Sequence, residues 1–288
     1  MYQVLRSNGG SRDCGRFFLD VAGQYAPEQV TVRWERSPRP AHPEIDGLIE
    51  RTWREQMADA RQQGRRLFNG KLCRLIDCDG DRHSLELTTG PVSYKEFVGT
   101  NLSHAYLRYT HGPEMLANAL GVSAAVVTGD GFVLLGRRSE KVAYHGGRIH
   151  PLGGMLEPTD QDHEPPRPFD AVVRELQEET GLKEDSIRDA ICLGLVRDKH
   201  IVQPELIFDI EVAADVAALR AGLDAAADSM EHVEVVPVRN CPSAVVNFIE
   251  AHTEDLTPVA LACLLLHGMY CWGSGWFATA RGYLRTMF

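Results

Sequence analysis

The sequence predicts a mixed α/β protein built from two units, at residues 1–118 and 119–288. Three observations support this fold class. Short β-type runs recur along the chain, amphipathic helical stretches lie between them, and a hydrophobic content of 44% is enough for a large buried core. We therefore expect a smaller N-terminal α+β domain followed by a larger α/β domain that ends in helices.

The first unit combines four short strands with one long helix. Apolar residues recur at helical spacing after Pro43, which predicts an amphipathic helix over residues 43–63. The segment Asp79-Gly80-Asp81 is typical of a hairpin turn. The strands predicted in this unit are residues 17–21, 30–34, 72–76 and 84–87, the last two flanking that turn.

The second unit begins with another hairpin and ends in helices. Its strands are predicted at residues 122–127, 132–135, 190–196, 206–212 and 233–238. A helix is predicted over residues 169–180, inserted among these strands. From Pro242 onward the chain is predicted to be helical, with a break around Trp272-Gly273-Ser274-Gly275.

Charge and cysteine usage limit the classes of partner. The formal net charge of −10 would repel a nucleic-acid backbone, so we expect no nucleic acid as a partner. The most apolar stretch, residues 259–267, is too short to span a bilayer, and the first ten residues lack the apolar core of a signal peptide. We therefore expect no membrane partner and a cytoplasmic location. The seven cysteines contain no C-x-x-C pair, which favours reduced thiols.

The predicted helix over residues 169–180 carries an acidic cluster. Glu175, Glu178 and Glu179 are spaced i, i+3 and i+4, so their side chains share one helix face, and Gly181 is suited to the helix C-cap. Such a cluster is costly unless a cation offsets it, and oxygen ligands suit Mg²⁺ or Mn²⁺. Taken alone, the spacing is also typical of a solvated acidic helix face.

The surrounding residues favour a phosphate site over a solvated face. Gly153 and Gly154 lie upstream and would let the backbone turn sharply and approach a phosphate. A divalent ion at the glutamates could offset charge on a leaving phosphate and lower the pKa of a bound water, and one glutamate could accept a proton from that water. The sequence therefore predicts metal-assisted cleavage of a diphosphate.

The segment from Arg174 to Leu182 resembles the Nudix family, whose box runs G-x5-E-x7-R-E-U-x-E-E-x-G-U, with U a bulky apolar residue. The second half matches at every defined position. Between Gly154 and Arg174, however, lie 19 residues (155–173), where the pattern provides 13, so six residues are inserted. Counting from Gly154 places Asp160 at the early glutamate of the pattern, with Glu157 and Glu164 as alternatives.

The resemblance implies an α/β/α sandwich and a role for each residue of the box. Glu178 and Glu179 would bind the metal ion, and Glu175 would act as a ligand or as the base. Arg174 would orient one of these carboxylates through a salt bridge. Asp160 is the loop ligand that the count predicts.

Four segments, three of them outside the box, resemble the Nudix branch that hydrolyses UDP-glucose and UDP-galactose to UMP and sugar 1-phosphate. They are residues 92–101, 120–122, 132–139 and 153–158. Tyr94 could then stack on the base and Asn101 bond a uracil edge, or their segment could form a helix turn packed at the domain junction. Arg137 and Arg138 end a strand and point to opposite faces, so one of them is expected to bind a phosphate.

Three questions stay open at this level. The box residues act on the shared diphosphate, so ADP-ribose, a dinucleotide or coenzyme A are alternative substrates, and a nucleotide-sugar sensor is the non-catalytic alternative. The acids Glu205, Glu231 and Glu234 are candidates for a further base. The aromatic residues Tyr270, Trp272, Trp276 and Phe277 predict either core packing of the terminal helix or a homodimer contact.

Overall fold

A computed structural model of the chain describes residues 11–65, 67–142, 144–159, 164–225 and 232–284. These ranges contain both helices and strands. The helices are α1 (Pro43–Gln62), α2 (Tyr94–Phe97), α3 (Leu107–Thr110), α4 (Pro168–Thr180), α5 (Val216–Ala225), α6 (Pro242–Ala251) and α7 (Pro258–Leu284). The strands are β1 (Arg12–Asp13), β2 (Phe17–Tyr25), β3 (Val30–Trp34), β4 (Lys71–Gly80), β5 (Leu85–Ser93), β6 (Gly121–Val127), β7 (Phe132–Arg138), β8 (Ile149–His150), β9 (Leu152–Met155), β10 (Ile187–Asp198), β11 (Pro204–Val212) and β12 (His232–Arg239).

The larger sheet has nine strands in the order β1-β2-β10-β11-β6-β7-β12, with β9 paired to β6 and β8 paired to β7. The β6 and β11 strands run parallel, and the other pairs in this sheet are antiparallel. Because β9 pairs with the first half of β6 and β7 with its last two residues, the sheet opens beside Gly153 and Gly154.

Helices cover both faces of this sheet. On one face, α4 and α5 pack their buried residues Val172, Leu176 and Leu219 onto Val122 and Phe208. The opposite face carries α6 and α7, whose apolar residues include Val245, Ile249, Leu261 and Leu264. The architecture is the predicted α/β/α sandwich.

The smaller sheet has the order β3-β5-β4, with β3 parallel to β5 and β4 antiparallel to it. It is joined to the larger unit by backbone hydrogen bonds. The N–H of Cys73 donates to the carbonyl of Leu156 at 2.8 Å, and that of Leu75 donates to the carbonyl of Asn118 at 2.9 Å.

The division predicted between residues 1–118 and 119–288 needs a correction. The β2 strand belongs to the larger sheet, where Leu19 pairs with Val196 and Tyr25 with Cys192. Leu85 and Leu87 of the small sheet share a core with Val122 and Val172. An apolar run predicts a strand, but its local pattern does not show which distant edge it will pair with.

Most predicted elements are confirmed in type and position. The helix predicted over residues 43–63 is α1, the helix over 169–180 is α4, and both predicted hairpins form. The short α5, β8 and β9 were not predicted as elements. All seven cysteines are free thiols, as their spacing indicated.

The last helix, α7, is interrupted where a break was predicted, since Gly273 has a φ of 88° inside it. It is the one helix in the described part of the chain that is long and apolar enough to cross a membrane, although 61% of its most apolar window is buried inside the protein. Phe277 is buried, and Tyr270, Trp272 and Trp276 pack against the same core. Core packing, one of the two predicted roles of this aromatic stretch, is therefore confirmed.

Candidate active site

The α4 helix is built to hold its acidic face at the edge of the sheet. Pro168 occupies the first turn, and Gly181 closes the helix in the left-handed conformation, with its N–H donating to the carbonyl of Gln177. Val172 and Leu176 are fully buried against the sheet. Their anchoring fixes the rotation of the helix, so that the face carrying the three glutamates turns toward β9.

The three glutamate side chains differ in exposure. Glu179 is 5% exposed, Glu175 is 17% exposed and Glu178 is 64% exposed. The cluster therefore runs from the protein interior to solvent within one helical turn. A ligand that reaches this face meets one accessible carboxylate and two that the protein holds in place.

Glu179 is fixed by two hydrogen bonds. Its Oε2 accepts from the backbone N–H of Gly153 at 3.2 Å, and its Oε1 lies 2.9 Å from Nδ1 of His232, which donates because a carboxylate only accepts. The His232 ring lies over Gly136 of β7, on the α4 face of the sheet. Glu179 thus links α4, β9 and β12.

Glu175 lies against Gly154, where a β-carbon would come within 2.4 Å of the carboxyl group. Nη2 of Arg174 donates to its Oε1 at 2.9 Å. Burial raises the pKa of Glu175 to about 7; Arg174 opposes this rise, whereas the charges of Glu178 and Glu179 add to it. Near neutral pH this carboxyl group can hold or release a proton.

Arg174 connects two members of the cluster, as the resemblance implied. In addition to its bond to Glu175, its Nε lies 3.7 Å from Oε1 of Glu178, at i,i+4 spacing on the helix. The guanidinium is 41% exposed, so it orients both carboxylates from the solvent side. The charges of Glu175, Glu178 and Glu179 still outnumber this single cation.

Gly153 meets a steric requirement of β9. Its φ is 152°, and a β-carbon would lie 2.1 Å from the carbonyl oxygen of Val122. Only glycine fits this position. The consequence for the site is that the N–H of Gly153 points at Glu179, so in this structure it supports a carboxylate.

The predicted loop ligand Asp160 lies outside the described residues. Of its two alternatives, Glu164 is bonded to Nη2 of Arg167 at 2.5 Å, at the start of α4. Glu157 is exposed and close enough to Arg174 to raise the pKa of that guanidinium. Among the described acids considered for the loop ligand, Glu157 is therefore the one best placed to join the cluster of Glu175, Glu178 and Glu179.

The two strand-ending arginines lie on opposite faces of the sheet, as predicted. Arg137 pairs with Glu234 at 3.2 Å and donates to the carbonyl of Gly147 at 2.8 Å. Arg138 follows Gly136 on the α4 face and is cross-strand to His232. Its positive charge contributes to the lowered pKa of His150, after burial, which is the larger cause. Arg138 is the arginine on the side of Glu179.

Tyr94 and Asn101 lie at the junction between the two sheets. Asn101 is fully buried, donates to the carbonyl of Ile201 at 2.9 Å and accepts from the N–H of Asn118 at 2.9 Å. With both ends of its amide bonded to backbone, it has no surface open to a substrate. Tyr94 is partly buried beside Trp53 and Phe97. For Asn101, the structure therefore agrees with the predicted helix turn packed at the domain junction and not with the predicted bond to a uracil edge.

Two of the three acids that were candidates for a further base contact other side chains of the protein. Glu234 forms the ion pair with Arg137. Glu205 is buried on the sheet face opposite α4 and accepts from the hydroxyl of Ser123 at 2.5 Å. The third acid, Glu231, lies outside the described residues.

Sequence reasoning missed the histidine behind Glu179, His232. His232 is fully buried, and its ring is stacked on that of His150 with centroids 6.4 Å apart. Nδ1 of His150 lies 2.9 Å from the hydroxyl of Thr257. The one available signal was a histidine immediately before the predicted strand at residues 233–238. A lone histidine there does not reveal a carboxylate partner on a helix 53 residues earlier.

Comparisons with known proteins identify one domain model and several proteins that this chain resembles. Residues 117–238 match the NUDIX domain model. Nudix hydrolase 9 of Arabidopsis thaliana is 27% identical over 258 residues, which cover 76% of this chain and 81% of the relative. The human uridine diphosphate glucose pyrophosphatase NUDT22 is 32% identical over 139 residues, covering 40% of this chain and 45% of the relative, so the match spans less than half of that protein. A solved NUDIX hydrolase from Nitrosomonas europaea is 18% identical with a TM-score of 0.37, covering 53% of this chain and 89% of that one.

Proposed function

We propose that this protein, in which residues 117–238 match the NUDIX domain model, cleaves the diphosphate of a nucleoside diphosphate sugar. The proposed substrates are UDP-glucose and UDP-galactose, and the products are UMP and sugar 1-phosphate. The observation that carries the proposal is the cluster of Glu175, Glu178 and Glu179 beside the Gly153–Gly154 backbone, with Arg174 bridging two of the carboxylates.

The donor set fits Mg²⁺ or Mn²⁺. Three carboxylates supply hard oxygen ligands, whereas thiols are absent from the described cluster and His232 is committed to Glu179. The like charges of Glu178 and Glu179 contribute to the raised pKa of Glu175, and a divalent cation would relieve that repulsion. When bound, such an ion would neutralise phosphate charge and lower the pKa of an attacking water.

The residues of the chain have separate tasks in this proposal. Glu178 reaches into solvent and would meet the ion and its phosphate ligand first, while Glu179 is held rigidly between Gly153 and His232. Glu175 serves either as a further ligand or as the base that accepts a proton from water. Arg174 keeps Glu175 and Glu178 in position.

Two features support the UDP-sugar assignment over other diphosphates. The human relative is described as a uridine diphosphate glucose pyrophosphatase. The segments at residues 92–101, 132–139 and 153–158 resemble the branch with that activity. Arg138, on the Glu179 side of the sheet, is the side chain we assign to a substrate phosphate.

Product analysis tests the substrate. The protein is incubated with Mg²⁺ and, separately, with UDP-glucose, UDP-galactose, ADP-ribose, NADH or coenzyme A. We expect UMP and sugar 1-phosphate from the UDP-sugars alone. Cleavage of another member would keep the Nudix reaction and reject the sugar assignment, whereas saturable UDP-glucose binding without product would identify a sensor.

A substitution tests the carboxylate cluster. We expect Glu178→Gln to abolish metal-dependent turnover, because it removes charge from an exposed ligand with little change in volume. Asp170→Asn is the matched control, since Asp170 is an exposed acid on the same helix outside the cluster. Normal turnover by the Glu178→Gln variant at limiting Mg²⁺ would contradict the assignment.

A further inference from the structure

A second group of ligating side chains lies far from α4 in the chain, where α1 begins and α3 ends. One ring nitrogen each of His42 and His111 and one carboxylate oxygen of Glu44 all lie within 4.8 Å of one another. We propose that these three residues bind a divalent transition metal ion, with Zn²⁺ as the best-fitting ion. This site is independent of the proposed hydrolysis.

The fold holds the three residues in place. His42 immediately precedes α1, and its backbone N–H donates to Oδ2 of Asp46 at 3.1 Å. His111 ends α3, and its N–H donates to the carbonyl of Leu107. Ile45 and Ile49 of α1 pack with Leu107 and Leu116 in one small core beneath the cluster. Two segments separated by nearly 70 residues are therefore locked together at this point.

One ring nitrogen of His42 is left unsatisfied by the residues that the structure describes. Nδ1 of His42 is buried, and within the described part of the chain it has no hydrogen-bond partner. A buried polar atom without a partner destabilises the folded protein, so a ligand that binds this nitrogen would remove that penalty. The two imidazoles meet edge to face with ring centroids 4.9 Å apart, an arrangement that a shared ion would hold in place.

His111 is oriented for ligation. Its Nδ1 lies 2.8 Å from the hydroxyl of Thr110, and its Nε2 lies 3.8 Å from Oε2 of Glu44. The second distance is too long for a hydrogen bond but leaves space for an ion between the two atoms. An imidazole whose other nitrogen is already bonded has a fixed ring orientation, which is the usual arrangement of metal-binding histidines.

The donor set selects the class of ion. Two imidazoles and one carboxylate suit Zn²⁺ or a neighbouring transition metal, whereas Mg²⁺ prefers oxygen ligands. The Glu44 side chain is 78% exposed, so water can occupy the remaining coordination position. An ion bound here would clamp the start of α1 to the segment that leads into β6, and would stabilise the folded chain by mass action.

Calorimetric titration with ZnCl₂ tests the proposal on the full chain. Bound metal is first removed with a chelator, and excess Mg²⁺ is present to occupy the carboxylates of α4. We expect the wild-type protein to bind Zn²⁺ and melt at a higher temperature with it, and both effects to be lost in H42A/H111A. The matched control is H83A/H252A, which removes two histidines of the chain outside the cluster and should bind Zn²⁺ like the wild type.

A milder variant covers the case in which H42A/H111A does not fold. Glu44→Gln changes an exposed side chain, and we expect it to weaken Zn²⁺ binding by about tenfold or more while circular dichroism stays unchanged. Equal Zn²⁺ affinity in the wild type and Glu44→Gln, or no Zn²⁺ binding by the wild type, would overturn the proposal. Since none of these residues lies in the α4 cluster, loss of the zinc site should leave Mg²⁺-dependent hydrolysis intact, so the two proposals fail separately.

Discussion

Two buried histidine–carboxylate pairs lie on opposite faces of the large sheet. On the α4 face, His232 bonds Glu179. On the α7 face, His267 bonds Asp209 of β11. All four side chains are 5% exposed or less, and in both pairs Nδ1 of the imidazole meets a carboxylate oxygen. The difference between the pairs lies in what surrounds them.

The Asp209–His267 pair is complete within itself. Nε2 of His267 lies 2.9 Å from Oδ1 of Asn240, so both ring nitrogens have acceptors. Although burial lowers the pKa of His267, its bond to Asp209 and its contact with Cys271 outweigh this and raise the pKa to about 9. An imidazolium beside a carboxylate is neutral overall. This pair needs no ligand and serves the core.

The Glu179–His232 pair belongs to a larger, unbalanced group. Glu175 and Glu178 lie on the same helix face, and Arg174 is the cation that contacts them. The remaining negative charge is what a divalent ion would neutralise. Under the proposed function, the same kind of side-chain pair is structural in one setting and would support a metal site in the other, and the surrounding charge makes the difference.

The largest expected effect is on stability at the α7 face. Asp209→Asn removes the carboxylate that keeps the buried His267 protonated, and breaking a buried ion pair typically costs about 3–5 kcal/mol. We expect the free energy of unfolding, measured by urea denaturation, to fall by that amount while the variant, below its melting temperature, retains hydrolytic activity. A loss of activity without a loss of stability would place Asp209 in the reaction and remove the contrast between the two faces.

The corresponding change at the α4 face should act mainly on turnover. Glu179→Gln keeps an oxygen acceptor for Gly153 but removes the charge, and we expect Mg²⁺-dependent kcat/KM to fall by more than about 100-fold. Asp209→Asn is the control for a buried carboxylate outside the site. If Glu179→Gln lowered the free energy of unfolding and left kcat/KM unchanged at limiting Mg²⁺, the Glu179–His232 pair would be structural, like the Asp209–His267 pair.

Stability should also depend on pH through His267. Its folded-state pKa of about 9 lies above the ordinary value of 6.5, so its contribution is fully present below pH 6.5 and is lost as the pH rises through 9. We expect the free energy of unfolding to decrease by an amount on the order of 1–3 kcal/mol over that window. Urea denaturation of the wild type and of His267→Gln at each pH measures it, and an equally steep decrease in the variant would assign the effect to other groups.

The sequence predicted the local parts of this comparison and missed the long-range parts. The spacing of Glu175, Glu178 and Glu179 placed the acidic face correctly, because a helix converts spacing directly into direction. It did not reveal that Glu179 would be buried and Glu178 exposed, since that depends on which neighbour covers each side chain. His232 and His267 were missed because their partners lie 53 and 58 residues away.

The same limit explains the corrected boundary and the reassigned Asn101. The strand predicted at residues 17–21 was correct in type, but the pairing of β2 with β10 depends on tertiary packing. Asn101 was considered for the substrate because an amide suits a uracil edge, yet the backbone groups of Ile201 and Asn118 use the same donors and acceptors. Polar chemistry at a position does not distinguish a ligand from a neighbouring strand or loop.

The smallest expected effect is a difference in KM between variants of Arg138 and Arg137. It extends the comparison of the two sheet faces to the arginines that end β7. Arg138 lies on the Glu179 side, so Arg138→Gln should raise KM for UDP-glucose by about tenfold, the loss of one charge-assisted hydrogen bond to a phosphate. Arg137 is already bonded to Glu234 and to the carbonyl of Gly147, so Arg137→Gln should change KM little. Steady-state kinetics with both variants at saturating Mg²⁺ measures the difference. A larger rise in KM for Arg137→Gln than for Arg138→Gln would place the substrate phosphates on the α7 face of the sheet, opposite Glu179.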